Sequence, residues 1–278
     1  MIISLQLESV QRGKQEEPFK MCDRRKMFLA AIIFTALYYK VTAESYKNLD
    51  MAPDAVDDQY SGCREEAMKK FIHSGLLRQE LNQSKGFERA WSEYIKCSKP
   101  IQGGIKEHTA ALEAYANEGN FIETFNKAVE TKGVNVSIYE NDFHFKSFHF
   151  LLMDSMKLLN PNPKCQTVFL LPEVNQMYTA QKGSRVRLGR FAKVYPSYRA
   201  LLKAEADLDQ ILNITSCFLV DLEKNVCSSH VDMMLLSPVE VFTVEDIHEM
   251  IREGDKIKVI VLKHSKLDSS HNCYIFSR

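Results

Sequence analysis

Beyond residue 44 the chain changes its apolar rhythm part-way along, and that change limits the folds open to it. Early on, Phe121, Phe125, Ala128 and Val129 recur at i, i+4, i+7 and i+8, the stripe of a helix packing one face. Gly133 stands where a left-handed helix C-cap is expected. Phe148, Leu151, Leu152 and Met156 repeat the pattern until Pro161 and Pro163 stop it. Segments near 64–80, 84–96 and 105–117 also read as helices. Later, short runs rich in Val, Ile, Leu, Phe and Thr take over at 165–171, 184–190, 213–222, 239–244 and 257–263. One helix over 244–252, ended by Gly254, is expected to interrupt them. Helices first and strands later predict an α+β fold rather than alternating βαβ units.

The N-terminus sets the compartment. A short basic stretch at 22–26 precedes an apolar run at 27–39, and Val41-Thr42-Ala43 offers small residues for cleavage. The run is shorter than the roughly 20 residues that span a bilayer, so a cleaved leader is favoured over an anchor. The polar residues 1–20 do not belong before a leader, so Met21 is the expected start and 44–278 the expected domain. Cys22 leaves with the leader, and six cysteines remain: Cys63, Cys97, Cys165, Cys217, Cys227 and Cys273. An even number in an oxidising lumen predicts disulfides, and the spacings supply no zinc motif. Sequons at Asn82, Asn135 and Asn213 are expected glycosylation acceptors. No polar spacer and apolar tail follow Cys273, so a protein secreted through the endoplasmic reticulum, with no stable membrane anchor, is expected.

Lysine plus arginine equals aspartate plus glutamate, at 36 each, which argues against nucleic acid as partner. Arg185, Arg187 and Arg190 read as a solvated basic face. Gly183 to Gly189 has neither the lysine nor the following helix of a phosphate loop, and reads as a turn entering a strand. His144 and His149 are five apart, so one helical face cannot present both to a metal, and core or helix-surface histidines are expected. Ser228-Ser229-His230-Val231-Asp232 gathers hydrolase residue types, but a triad assembles from distant segments, so a loop is expected. The acidic pairs Asp57-Asp58 and Glu65-Glu66 read as charges complementing helix N-termini. No metal site is expected.

Several colinear segments resemble the vertebrate ecto-mono-ADP-ribosyltransferases. They run from Leu49-Asp50-Met51-Ala52-Pro53-Asp54 through Tyr60-Ser61-Gly62-Cys63, Phe125-Asn126-Lys127-Ala128-Val129 and Phe143-His144-Phe145-Lys146-Ser147-Phe148-His149-Phe150. Val186-Arg187-Leu188-Gly189-Arg190-Phe191, Thr215-Ser216-Cys217 and Pro238-Val239-Glu240-Val241-Phe242 follow. The resemblance implies a helical part packed on two small sheets that form an NAD cleft. It implies disulfides Cys63–Cys273 and Cys165–Cys217, and leaves Cys97 and Cys227 open.

The family moves ADP-ribose from NAD to arginine. An arginine grips the pyrophosphate, a serine orders the nicotinamide side, and a carboxylate faces the positive charge that develops on the ribose. Carried over residue by residue, the constellation is lost. Val168-Phe169-Leu170-Leu171 places Leu170 at the arginine, and Phe191-Ala192-Lys193 places Lys193 at the serine. Counting back from Pro238 puts Val231 and Met233 at the two glutamates. Asp232 is a neighbouring carboxylate, expected on the opposite face. Phe169, Leu170 and Phe191 are the cleft candidates, and an apolar cleft disfavours a dianionic pyrophosphate, so NAD binding is in doubt. The expectation is a pseudoenzyme that binds an unidentified extracellular protein; the alternative is an active arginine-specific transferase using displaced residues.

Overall fold

The structure, a computed structural model, describes residues 45–276 except 98, 118, 206–207 and 229–231. The leader, its cleavage after Ala43, and Val231 lie outside the described residues.

Helices come first, as the apolar rhythm predicts. α1 (Arg64–Ala67) runs directly into a π-helical stretch, Met68–His73. α2 (Leu76–Gln83), α3 (Lys85–Tyr94), α4 (Lys106–Asn117), α5 (Gly119–Thr131), α6 (Val136–Asp142) and α7 (Lys146–Leu159) follow. Ser84 Oγ caps α3 by accepting from the Phe87 amide at 3.3 Å, and Asn135 caps α6 through the Ile138 amide at 3.0 Å. α7 is capped from a distance: the buried Glu80 carboxylate of α2 accepts from the Lys146 and Ser147 amides at 2.8 and 2.9 Å. The faces these helices bury meet in an aromatic core. Phe87 stacks on Phe121 at 5.1 Å, and Phe125 meets Phe148 edge-on at 4.8 Å. Gly133 is not a left-handed cap. A Cβ there would lie 2.2 Å from the Ala55 carbonyl oxygen, so close backbone approach is what requires glycine.

His149 belongs to this core, as a packing histidine should. Its Nε2–H donates to the Val56 carbonyl at 3.0 Å, and Nδ1 accepts from the Tyr60 hydroxyl at 2.9 Å. His144 is exposed. Burial pushes His149 down from 6.5 to about 4, so it is neutral in the folded protein at pH 7. A base depressed on folding contributes stability that is present above 6.5 and lost as pH falls through about 4. Relative to wild type, His149→Gln is therefore expected to gain about 3 kcal/mol between pH 7 and pH 4, read from urea midpoints. A pH-independent difference would contradict this.

The strands form three sheets. β2 (Gln166–Leu170), β6 (Gln210–Ser216), β10 (Asp255–Leu267), β9 (Glu240–Arg252) and β4 (Arg185–Val186) lie in that order in a five-stranded sheet. Only the β6–β10 pairing within it is parallel. β5 (Ala192–Val194), β8 (Met234–Leu236) and β7 (Leu219–Asp221) form the second, and β1 (Ser45–Asn48) pairs with β3 (Gln176–Thr179) in a third. α8 (Tyr198–Ala204) and α9 (Leu222–Asn225) connect strands. A second apolar core draws on both larger sheets, with Val168, Leu170, Leu212 and Phe242 from one and Val194 and Leu236 from the other.

The helix expected over 244–252 is instead the outer length of β9, laddered to β10 from Asp255↔Arg252 inward. Val244, Ile247 and Ile251 have helical spacing, but hairpin pairing overrides it. Gly254 misled for a definite reason. Glu253 and Gly254 have φ of 55° and 102°, the left-handed pair of a two-residue hairpin, and a helix C-cap asks for the same glycine. The run 213–222 is two strands, parted at Cys217 and Phe218. Gly183 is a turn glycine at φ 83°, leading into β4.

The acidic pair Asp57-Asp58 does not cap a helix; only Glu65 and Glu66 stand in the first turn of α1. Asp57 accepts from the Ser270 amide at 2.7 Å, His271 Nδ1 at 2.9 Å and Arg187 Nη1 at 2.5 Å. Asp58 accepts from the Cys273 and Tyr274 amides at 2.8 and 3.1 Å. Both aspartates are thus clasps on the C-terminal segment, beside the Cys63–Cys273 disulfide. Burial raises the Asp57 carboxyl, but hydrogen bonds from His271 and Ser270 and the charge of Arg187 hold it below its ordinary value. Asp58 is pushed up by burial to about 6. Arg187 and Arg190 are accordingly not a solvated face. They are 3% and 7% exposed, and Arg190 pairs with Glu173 at 2.9 Å; only Arg185 of the three is exposed. Asp57 and Arg187 complete each other, a pairing across 130 residues that local sequence does not announce.

Candidate active site

Three short strands bring the compared positions together. β5 pairs with β8 through Lys193↔Leu235 and Val194↔Met234, and β2 meets β5 at the bridge Phe169↔Tyr195. Leu170 ends β2, Lys193 is the middle of β5, and Met233 immediately precedes β8. The framework therefore gathers Leu170, Lys193 and Met233 at adjoining strands, while Val231 is outside the described residues.

Their surroundings differ. Leu170 is 4% exposed and belongs to the apolar core shared by the two larger sheets. Lys193 turns towards α4: its Nζ donates to the Ala116 carbonyl at 2.8 Å and lies 6.0 Å from the Tyr115 ring centre. Burial lowers its pKa. Met233 is half-buried and packs against the helical core, and its carbonyl accepts from the Leu222 amide at 3.0 Å. The cleft candidates separate as well. Phe191 is fully buried, stacked on Phe125 at 5.7 Å, and Phe169 lies with Tyr198 on the other side of β2 from Leu170.

A cavity of about 480 Å³ opens beside Met233, with Asp221, Glu223, Lys224, Asp232 and Met234 in its lining. Asp232 adjoins Met233 where the chain is not yet a strand. Its φ of 21° breaks the alternation, and both residues line this cavity. Asp221 is already engaged, capping α9 at the Lys224 amide and meeting Lys224 Nζ at 2.6 Å. The lining carries three carboxylates and one ammonium, a field that opposes a pyrophosphate.

The segment entering this region is tightly held. Cys227 is bonded to Cys97, which settles the pairing the sequence left open. The buried Glu113 carboxylate of α4 accepts from the Cys227 and Ser228 amides at 2.7 and 2.8 Å and from the Ser228 hydroxyl. Ser228 is thus a loop anchor rather than a nucleophile beside a base; Ser229 and His230 lie outside the described residues. Among the described residues, Cys217, Glu240 and His264 bring metal-type ligand atoms within 4.8 Å of one another. Cys217 is spent in the Cys165–Cys217 disulfide. Glu240 accepts from Ser216 Oγ, the Cys217 amide and His264 Nδ1 at 2.5, 2.8 and 2.6 Å, so this group is a structural knot.

The model of the NAD:arginine ADP-ribosyltransferase family matches residues 49–270, nearly the whole of the described chain. The chain belongs to this family. GPI-linked NAD(P)(+)–arginine ADP-ribosyltransferase 1 of Oryctolagus cuniculus is 29% identical over 244 residues, covering 81% of this chain and 73% of that protein. T-cell ecto-ADP-ribosyltransferase 2 of Mus musculus is 28% identical over 237 residues, covering 81% and 76%. The crystal structure of the mono-ADP-ribosyltransferase ART2.2 matches with a TM-score of 0.66 at 26% identity, covering 81% of this chain and 98% of that one. A mutant of ART2.2 solved in complex with NAD matches at 0.64 and 26%, with the same coverage. The α+β architecture and the disulfides Cys63–Cys273 and Cys165–Cys217 agree with the family resemblance.

The segments that carry the likeness hold this ADP-ribosyltransferase fold together. His149 ties Tyr60 to Val56, Arg187 joins Asp57 to the Met51 carbonyl, and Glu240 locks the β6–β7 junction. The family takes NAD as its co-substrate, and two of the positions that the resemblance assigns to it lack the expected donors. Leu170 offers no donor, and the Lys193 ammonium is directed at a backbone carbonyl.

Proposed function

We propose that the protein is a secreted, catalytically inactive member of the arginine-specific ADP-ribosyltransferase family that acts by binding an extracellular protein. One observation carries the reading: Leu170, where the family resemblance assigns the NAD-gripping arginine, lies in a closed apolar core. Lys193 and Met233 at the serine and one glutamate position support it, since neither can do the work of the group it replaces. Losing one well-placed electrostatic group typically costs ~3–4 kcal/mol of barrier, and several are replaced here. Three disulfides, and relatives named as ecto- or GPI-linked enzymes, support the extracellular placement.

Titration calorimetry of the oxidised protein with NAD at millimolar concentration is expected to show no saturable heat. A saturating isotherm with one site would overturn the reading. A second reading draws on Asp232, whose place beside Met233 in one cavity offers a carboxylate to an active transferase. It requires that Asp232→Ala abolish turnover.

A further inference from the structure

We propose that Asn213 carries an N-linked glycan whose first sugar covers the groove on the outer face of the five-stranded sheet. Along β6 the side chains alternate: Leu212 and Ile214 are buried in the core shared by the larger sheets, while Asn213 and Thr215 are half-buried on the opposite face. Asn213 pairs with Phe169 on β2 and Val261 on β10, which puts the sequon on an inner strand, one in from the β2 edge. There it opens into a groove of about 240 Å³, lined also by Phe169, Tyr198, Ile211, His248 and Met250.

A sugar suits this groove by its chemistry. The Asn213 amide makes no hydrogen bond to the protein among the described residues, so its nitrogen is available. The Phe169 and Tyr198 rings, 5.9 Å apart, line the groove and present apolar surface to the C–H face of a pyranose, whose hydroxyl and acetamido groups stay towards water. In the attachment, Asn213 Nδ2 forms a bond to the anomeric carbon of a lipid-pyrophosphate-linked oligosaccharide. The bond from that carbon to the pyrophosphate breaks, and the amide proton is lost as the lipid pyrophosphate departs. Asn82 and Asn135 differ in kind: both are exposed, Asn82 within α2 and Asn135 at the N-cap of α6, and neither lines this groove.

The proposal rests on the secretory reading, and its test keeps the two apart. The full chain is expressed in a eukaryotic secretory host and treated with peptide N-glycosidase in oxygen-18 water, native and denatured, before peptide mass spectrometry. Label is expected at Asn82, Asn135 and Asn213 after denaturation, with Asn213 alone resisting release in the native protein. Occupied Asn82 or Asn135 with unmodified Asn213 overturns the proposal and leaves the secretory reading standing. No glycan at any of the three overturns both. Release from native Asn213 as fast as from Asn82 overturns the seat in the groove. Thr215→Ala removes the acceptor but keeps Asn213, and is expected to raise binding of an apolar fluorescent dye several-fold; unchanged fluorescence overturns the cover.

Discussion

Replacing Cys63 and Cys273 together by serine is expected to lower stability by about 5 kcal/mol, the largest effect of any single bridge. The bridge joins residues 210 apart in sequence, so it constrains nearly the whole unfolded domain. Loss on this scale matches the entire stability of many domains, at about 5–15 kcal/mol, and is expected to lower Tm by roughly 10–20 °C. The same reasoning gives about 4 kcal/mol for Cys165–Cys217, whose separation is 52, because the entropy grows only with the logarithm of the loop. The folded geometry should survive the substitution. Asp57 and Asp58 still hold the amides of Ser270, Cys273 and Tyr274, and Phe276 still packs on Phe71 at 5.7 Å. Denaturant unfolding of the oxidised proteins measures the effect. A loss below about 2 kcal/mol would mean that the clasp already orders the ends in the unfolded chain.

Leu170→Arg, which introduces the residue that the family resemblance assigns to this position, is expected to cost at least about 3 kcal/mol and to recover no transfer activity. The guanidinium would enter the apolar cluster that holds Val168, Leu212, Leu236 and Phe242. Leu170→Met is the control, since a swap of similar volume should cost less than about 1.5 kcal/mol. Equal urea midpoints for Leu170→Arg and wild type would show that the end of β2 opens to water, contrary to the closed core described above.

Much of the scaffold is legible in the sequence, and the physical reasons differ by element. The helical stripe of Phe121, Phe125 and Val129 and the β-branched runs of β2, β6 and β10 announce themselves, because one buried face imposes one period. β9 does not, because its outer length gains its form from pairing with β10 rather than from its own alternation. Arg187 and Asp57 looked like separate surface charges, since nothing local marks a pair that closes across 130 residues. At the site, the resemblance singles out Leu170, Lys193 and Met233, and the fold brings these three positions to adjoining strands. What the sequence does not hold is local geometry: that Lys193 reaches the Ala116 carbonyl, and that the backbone at Asp232, beside Met233 in the cavity lining, takes a φ of 21°.

Incubating the oxidised, glycosylated protein with labelled NAD and agmatine, while following nicotinamide release and label transfer together, tests the central claim most directly. The account predicts neither signal above the rate without protein. Transfer to agmatine, with nicotinamide released in step, would contradict it and place a working carboxylate in this cleft.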